Sequence, residues 1–251
     1  MSKNYKKLSI VIPVYNEEKF IEKCLEIVIS ADSCGLGKEI IIVDDGSTDE
    51  TYRKIQITKS LPSRQAGKFQ IKSKIQIIEK NKNEGKGAAL KAGFMKSTGD
   101  IVLVQDADLE YSPEDYSRLL EPFLKNNADV VYGSRFISDR PHRVLYFWHY
   151  LVNVFVTILS NLFTNLNLTD METGFKAFKG ALIREIAPKL QSKRFGFEPE
   201  ITARISKIKG IKIYEVGISY SGRTYQEGKK IGWLDGIMAI WEIIKYNIFL
   251  G

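Results

Sequence analysis

VLVQDADLEYSPED, residues Val102–Asp115, passes from an apolar run into a row of acids within a few positions. Ile101–Val104 is short and wholly apolar, which predicts a strand buried on both faces of a parallel sheet. From its end, every second residue carries a carboxylate: Asp106, Asp108 and Glu110. Ligands of open parallel sheets gather at the carboxyl ends of the strands, so these acids are expected to line a ligand site. Closely spaced carboxylates repel unless a cation neutralises them. Oxygen donors favour Mg2+ or Mn2+, ions that keep positions open for substrate phosphates. The bland alternative is an acidic loop satisfied by water.

Outward from this point the chain alternates strand-like and helix-like segments. Leu8–Val14, Glu39–Val43, Ile75–Ile78 and Asp129–Tyr132 read as further strands. Glu17–Ser30 repeats Phe20, Ile21, Cys24, Leu25 and Val28 at helical spacing. Gly87–Lys96 suits a helix, as does Pro113–Lys125, which Ser112 caps and Pro113 opens. Such alternation predicts an α/β layer fold with a mostly parallel sheet. The pattern lapses between residues 56 and 74, a basic segment with Pro62 and Gly67, read as an exposed excursion.

Other motifs at the strand ends are polar. Asp44 and Asp45 suit a base or a ribose, or else the capping of the next helix. Gly85 and Gly87 flank Lys86 and allow close approach of a ligand at a helix start. The sequence Asn83-Glu84-Gly85-Lys86-Gly87 is not a Walker A loop, and the first strand-to-helix turn, Pro13-Val14-Tyr15-Asn16-Glu17, has no dinucleotide fingerprint. A calcium loop counted from Asp106 would need Gly at Tyr111 and Glu at Ser117. Glu110 stands where an aspartyl phosphatase of the Asp-x-Asp type carries Thr or Val.

Composition sets broad limits. The chain has 251 residues, 44% hydrophobic and 27% charged, enough for a substantial core in one domain, with or without a small appendage. Thirty-seven basic against 30 acidic residues give +7, which favours a polyanionic partner: nucleotide, nucleic acid or an anionic membrane face. A nucleic-acid module would interleave basic and aromatic residues, whereas the basic excursion has only Phe69, so no nucleic-acid partner is expected. Cys24 and Cys34 have no metal-ligand spacing; Cys24 reads as core, and a reducing compartment is expected. No apolar leader precedes the first strand, so no secretory signal is expected.

Val144–Phe163 is apolar except for His149, Asn153, Thr157, Ser160 and Asn161. These five fall on one helical stripe, which a lone membrane span would expose to lipid. An amphipathic helix at a membrane interface is preferred to a core helix or a span. Residues 231 to 250 repeat the theme, with Trp233 and Trp241 beside Lys229 and Lys230.

Taken together, VIPVYNEE (Val11–Glu18), IIVDDGSTDE (Ile41–Glu50), NEGKGAALKAG (Asn83–Gly93) and VLVQDADLEYSPED resemble the family 2 glycosyltransferases, which have the GT-A fold. VVYGSRF (Val130–Phe136), TDMETGFKAF (Thr169–Phe178), FGFEPEITARI (Phe195–Ile205) and GRTYQEGKKIGWLDG (Gly222–Gly236) are similar to the dolichyl-phosphate mannose and glucose synthase group. The resemblance implies a GT-A catalytic domain over residues 1–225, including the amphipathic helix near 144–165, and an interface helix over 226–251. It also implies that Pro13, Tyr15, Glu17, Asp44 or Asp45, and Lys86 surround the nucleotide of a UDP- or GDP-sugar, while Asp106, Asp108 and Glu110 face the diphosphate and the metal. Arg135, Arg223, and Arg140 or Arg143 would hold the phosphate of a polyprenyl or dolichyl acceptor, with Lys229 beside them. Thr169 and Asp170 would lie near sugar and acceptor.

The reaction implied is inverting hexose transfer to a lipid phosphate. That nucleophile is substantially dianionic at neutral pH and needs little acid–base help. Transfer to a saccharide hydroxyl, the rival reading, needs a general base, for which Asp170 or Glu198 could serve. Relatives often continue into transmembrane helices, whereas this sequence ends at Gly251. The expectation is therefore cytoplasmic, peripheral association with the inner membrane face, supported by its anionic surface and a membrane-protein partner.

Overall fold

A computed structural model describes residues 5–60, 74–137, 143–144, 146–194, 196–223 and 233–249. Seven strands form one sheet: β1 (Lys7–Val14), β2 (Gly37–Asp44), β3 (Lys74–Glu79), β4 (Ile101–Val104), β5 (Val130–Ser134), β6 (Lys176–Lys179) and β7 (Ile213–Gly217), in the order β3-β2-β1-β4-β6-β5-β7. Only β6 runs antiparallel, between β4 and β5. The first five strands match the expectation to within a residue or two. β6 and β7 are additions, because KAFK and IYEVG are too short and mixed to show a period.

The near-continuous apolar character of β1 and β2 follows from burial on both faces. Leu8, Ile10, Ile12, Ile40 and Ile42 pack on one side, against α1 (Ile21–Ser30), α2 (Thr51–Ser60) and α4 (Tyr116–Asn126). Val11, Ile41 and Val43 pack on the other, against α3 (Lys86–Lys96) and α7 (Phe197–Ser206). α6 (Gly180–Ile186) completes that second layer. Each buried aliphatic side chain contributes about 1.5–3 kcal/mol of transfer free energy. Ser112 caps as expected, accepting from Glu114 N at 3.3 Å, and a 3-10 turn at Pro113–Asp115 leads into α4. α2 runs through Ser60, so helix occupies the first residues of the stretch read as an exposed excursion; residues 61–73 lie outside the described ones.

α5 (Phe147–Thr164) has its amphipathicity reversed relative to a helix of a water-soluble core. Its polar stripe docks on the protein. Thr157 Oγ1 accepts from Met171 N (3.2 Å), Asn161 is bonded to both Leu168 N and O (3.1 and 2.8 Å), and Ser160 is buried. The aromatic and aliphatic stripe faces out, with Trp148 72% and Leu162 76% exposed. α5 is the one helix among the described residues long and apolar enough to cross a membrane. α8 (Trp233–Ile244) packs against α5 and α7 and ends in a π-helical turn, Lys245–Phe249. The division expected at residues 225 and 226 lies outside the described residues.

At the sheet edge away from the acids, buried Glu39 of β2 ties three strands together. It accepts from Ser9 Oγ (2.5 Å), Lys7 Nζ (3.0 Å), Gln76 Nε2 (3.0 Å) and Thr98 N (2.9 Å). Burial alone would raise its pKa, but the bonds from Ser9, Thr98 and Lys7 outweigh that and hold it down at about 2. A folded-state pKa below the unfolded one means stability present above the unfolded value and lost as pH falls. Glu39→Gln is expected to lower the unfolding free energy by about 2 kcal/mol at neutral pH. Urea midpoints measured from pH 6 to 2 should show this gap closing below the ordinary glutamate pKa; a gap constant with pH would contradict it.

Candidate functional site

The carboxyl ends of β1, β2, β4 and β5 bring the acids of the sequence motifs to one edge. After β4 the chain turns through Leu109, whose φ of 61° is unusual for a bulky residue, and Asp108 Oδ1 accepts from Glu110 N at 3.1 Å. Tyr111 then forms an isolated bridge with Tyr220, and Ser221 N donates to Glu110 O at 3.0 Å. Asp115 holds the same incoming segment by accepting from Ser219 N (2.7 Å) and Oγ (2.5 Å). These contacts deliver Arg223 to the acids, although more than a hundred residues of sequence separate them.

Arg223 is the hub of the site. Its Nη2 lies 3.1 Å from Asp108 Oδ2, its Nε 3.2 Å from Glu110 Oε1 and its Nη1 3.5 Å from Glu17 Oε2. Its own N–H donates to Glu110 Oε1 at 2.9 Å, and Tyr220 OH donates to Glu110 Oε2 at 2.9 Å. Burial, then the charges of Asp106 and Glu110, push Asp108 well above the usual carboxylate range despite the guanidinium. The site therefore holds more negative charge than its cation satisfies. That excess and the all-oxygen donor set fit a hard divalent cation. Among the described residues, no three His, Cys, Asp or Glu side chains already converge as a metal cage. The expected trio Asp106, Asp108 and Glu110 is split, with Asp108 and Glu110 on Arg223 and Asp106 on Lys86.

Lys86, at the start of α3, lies 3.0 Å from Asp106 Oδ2 and 3.2 Å from Glu198 Oε1. Burial lowers its pKa, but the two carboxylates outweigh that and hold the ammonium charged. Asp45 sets its position, accepting from Gly85 N (2.6 Å), Glu84 N (3.1 Å) and Lys80 Nζ (2.6 Å). Gly85 (φ 101°) and Gly87 serve a closer neighbour than the expected ligand. A Cβ at either would lie 2.4 Å from a carbonyl oxygen, of Lys193 and Ser192 respectively. Asp44 does not cap α2; it accepts from Ser47 Oγ at 2.5 Å, and burial raises its pKa. Pro13 and Tyr15 stand half-buried at the end of β1.

Arg135, after β5, is not a free phosphate ligand here. It grips Asp170 with both edges, Nε to Oδ2 and Nη2 to Oδ1, each at 2.6 Å, and its Nη2 also donates to Asn153 Oδ1 of α5 at 3.2 Å. Glu215 of β7 accepts from Thr169 N and Asp170 N, fixing the loop that carries Asp170. Glu215 is a lone acid in a short strand, and no motif in the sequence marks it. Arg143 donates to Gly222 O at 3.2 Å, beside Arg223. Arg140 and Lys229 lie outside the described residues. Breaking a buried ion pair from one side strands the other charge. Asp170→Asn is therefore expected to cost about 3 kcal/mol, read from the urea midpoint; a change within a few tenths would show that Arg135 leaves Asp170 freely.

Known proteins resemble this chain in sequence and in fold. The glycosyl transferase family 2 profile matches residues 9–187. A dolichol-phosphate mannosyltransferase of Pyrococcus furiosus is 27% identical over 96% of this chain, and a dolichyl-phosphate beta-glucosyltransferase of Dictyostelium discoideum 30% identical over 85%. The alignments cover 64% and 66% of those two proteins, so this chain spans somewhat under two thirds of each. A UDP-N-acetylglucosamine–dolichyl-phosphate N-acetylglucosaminyltransferase of Methanococcus voltae is 27% identical over 76% of the chain and of its own length. Among solved structures, glucosyl-3-phosphoglycerate synthase of Mycobacterium tuberculosis, crystallised with Mn2+, UDP and phosphoglyceric acid, superposes with a TM-score of 0.69. It is 20% identical, with 97% of this chain and 79% of that one covered, a likeness of fold. The chain belongs to glycosyl transferase family 2 and has its GT-A-like α/β fold.

Proposed function

We propose that the chain is an inverting, metal-dependent transferase that moves a hexose from a UDP- or GDP-sugar to polyprenyl or dolichyl phosphate at a membrane surface. The observation that carries this reading is the surplus of half-buried carboxylate around Arg223: Asp108, Glu110 and Glu17 within 3.5 Å of one guanidinium, and Asp106 beside them on Lys86. A bound Mg2+ or Mn2+ would supply charge neutralisation to the leaving nucleoside diphosphate. Asp106 and Asp108 would hold it, while Tyr15, Pro13 and Asp44 at the neighbouring strand ends receive base and ribose.

The acceptor's phosphate oxygen attacks the anomeric carbon as the bond to the diphosphate oxygen breaks, inverting that centre. Arg223 and Arg143, joined by Arg135 once it leaves Asp170, would align the two anions against their mutual repulsion, a task that suits the planar guanidinium fork. The three relatives, a dolichol-phosphate mannosyltransferase, a dolichyl-phosphate beta-glucosyltransferase and a dolichyl-phosphate N-acetylglucosaminyltransferase, support this acceptor class. The hydroxyl-acceptor alternative loses ground because each candidate base is engaged by a cation, Asp170 by Arg135 and Glu198 by Lys86. The outward apolar stripe of α5 supports association with the headgroup and acyl boundary of a membrane, the inner cytoplasmic face in this reading. Exposed Met238, Trp241 and Phe249 of the C-terminal helix add to that surface, which a membrane-protein partner could extend.

The purified chain, incubated with Mg2+ or Mn2+ and a panel of labelled UDP- and GDP-sugars, is expected to transfer label to polyprenyl phosphate in detergent. Asp108→Ala should cut that transfer by about a hundredfold or more while leaving the thermal midpoint and circular dichroism intact. Label appearing only in water-soluble saccharide, or normal turnover by Asp108→Ala, would contradict the proposal.

A further inference from the structure

The loop between α5 and β6, Thr169–Phe175, is held by a dense set of hydrogen bonds. Glu215 takes the N–H groups of Thr169 and Asp170, Thr157 takes that of Met171, and Tyr111 OH that of Gly174 at 3.1 Å. Buried Lys176 reaches back to donate to the carbonyls of Met171 (2.9 Å) and Thr173, on either side of Glu172. Against this background one atom stands out. Glu172 Oε1 is buried and has no hydrogen-bond partner, a state shared among the described residues only by Tyr5 OH and Asn247 Oδ1. A buried acceptor left unmade is costly, and native proteins retain one where a ligand or water completes it.

Its surroundings indicate which ligand. Lys86 links Asp106 to Glu198, and Glu198 and Lys176 are the charges that act most strongly on Glu172. A polar row thus runs inward from the carboxylate proposed to face the diphosphate. The loop itself forms the wall there: a Cβ on Gly174 would lie 2.3 Å from Asp106 Oδ2 and 3.0 Å from Lys86 Nζ. A phosphate brings only acceptors and negative charge, which the carboxylate of Glu198 opposes. A hexose brings neutral O–H donors, which an unmet carboxylate oxygen accepts. Burial and the charge of Glu198 raise the pKa of Glu172, so close company with a second anion is costly there.

We infer that Glu172 is a specificity-determining residue for the donor, its buried Oε1 accepting a hydrogen bond from a hydroxyl or amide N–H of the transferred sugar. The inference rests on the chain being a nucleotide-sugar transferase. Sites built to bond a substrate hydroxyl discriminate strongly against analogues that lack it, because their own polar group is then left unpaired.

Calorimetric titration with Mg2+ and without any lipid isolates this step from the acceptor. The probes are UDP-glucose, GDP-mannose and UDP-N-acetylglucosamine, with UDP and GDP as parents. Glu172→Ala is expected to weaken the bound nucleotide sugar by about tenfold or more and to leave the parent diphosphate within about twofold; Glu172→Gln, which keeps an acceptor oxygen, should recover most of the loss. Among monodeoxy versions of that sugar, one should bind wild type about tenfold more weakly yet lose nothing further in Glu172→Ala. Equal loss of diphosphate and sugar nucleotide, or no loss of either, would overturn the role of Glu172 alone. Failure of wild type to bind every probe would overturn the transferase reading beneath it.

Discussion

Carboxylates crowded into a water-poor sheet edge must be neutralised, and the rest of this structure is arranged around that requirement. Asp106 and Glu198 share Lys86, Asp108, Glu110 and Glu17 share Arg223, Asp170 takes Arg135, and Asp45 takes Lys80. In each group the cation comes from a different element than the acid. The charges therefore join α3 to β4, the segment after β7 to the loop after β4, and the end of β5 to the loop before β6. Buried pairs of this kind add little net stability over apolar packing, but leaving one partner alone is expensive. They fix which elements meet, and they leave the Arg223 group with acids in excess.

The second constraint is the reversed helix α5. Its polar residues are consumed inside: Asn153 by Arg135, Thr157 by Met171, Asn161 by Leu168. Its aromatic residues are left outside, where water does not favour them. Because Asn153 touches the guanidinium that holds Asp170, the outward apolar face is one contact away from the candidate site. In the proposed function, a membrane covering α5 would thus lie beside the residues that receive a lipid phosphate.

Much of this was legible in the residues. Parallel strands buried on both faces leave nearly unbroken apolar runs, so β1, β2 and β4 could be read directly, and the acids after β4 followed from where such strands end. Short strands were not legible: Lys176–Lys179 has a charge at each end, and its antiparallel insertion depends on β4 and β5 already being in place. The polar stripe of α5 could be seen, but its inward direction rests on Arg135, Met171 and Leu168, each from another part of the chain. Gly85 and Gly87 were read as making room for a ligand; the room is taken by the backbone of Ser192–Lys193, a contact no local pattern announces. Arg223 was identified from its motif, whereas its seat among Asp108, Glu110 and Glu17 required the Tyr111–Tyr220 bridge. Glu172 lies inside the TDMETGFKAF stretch, but nothing there singles it out, since an unpaired oxygen exists only once the atoms around it are paired.

In the proposed function Asp106 and Asp108 hold a divalent metal, and Asp108 is shared with the Arg223 guanidinium. Mn2+ titration followed by electron paramagnetic resonance, on wild type and Arg223→Gln, with and without UDP or GDP, tests this assignment without recourse to turnover. Mn2+ is expected to bind, and to bind more tightly to Arg223→Gln when no nucleotide is present, because the guanidinium competes for Asp108. Absence of bound Mn2+ under every condition, or weaker binding once the guanidinium is removed, would contradict it.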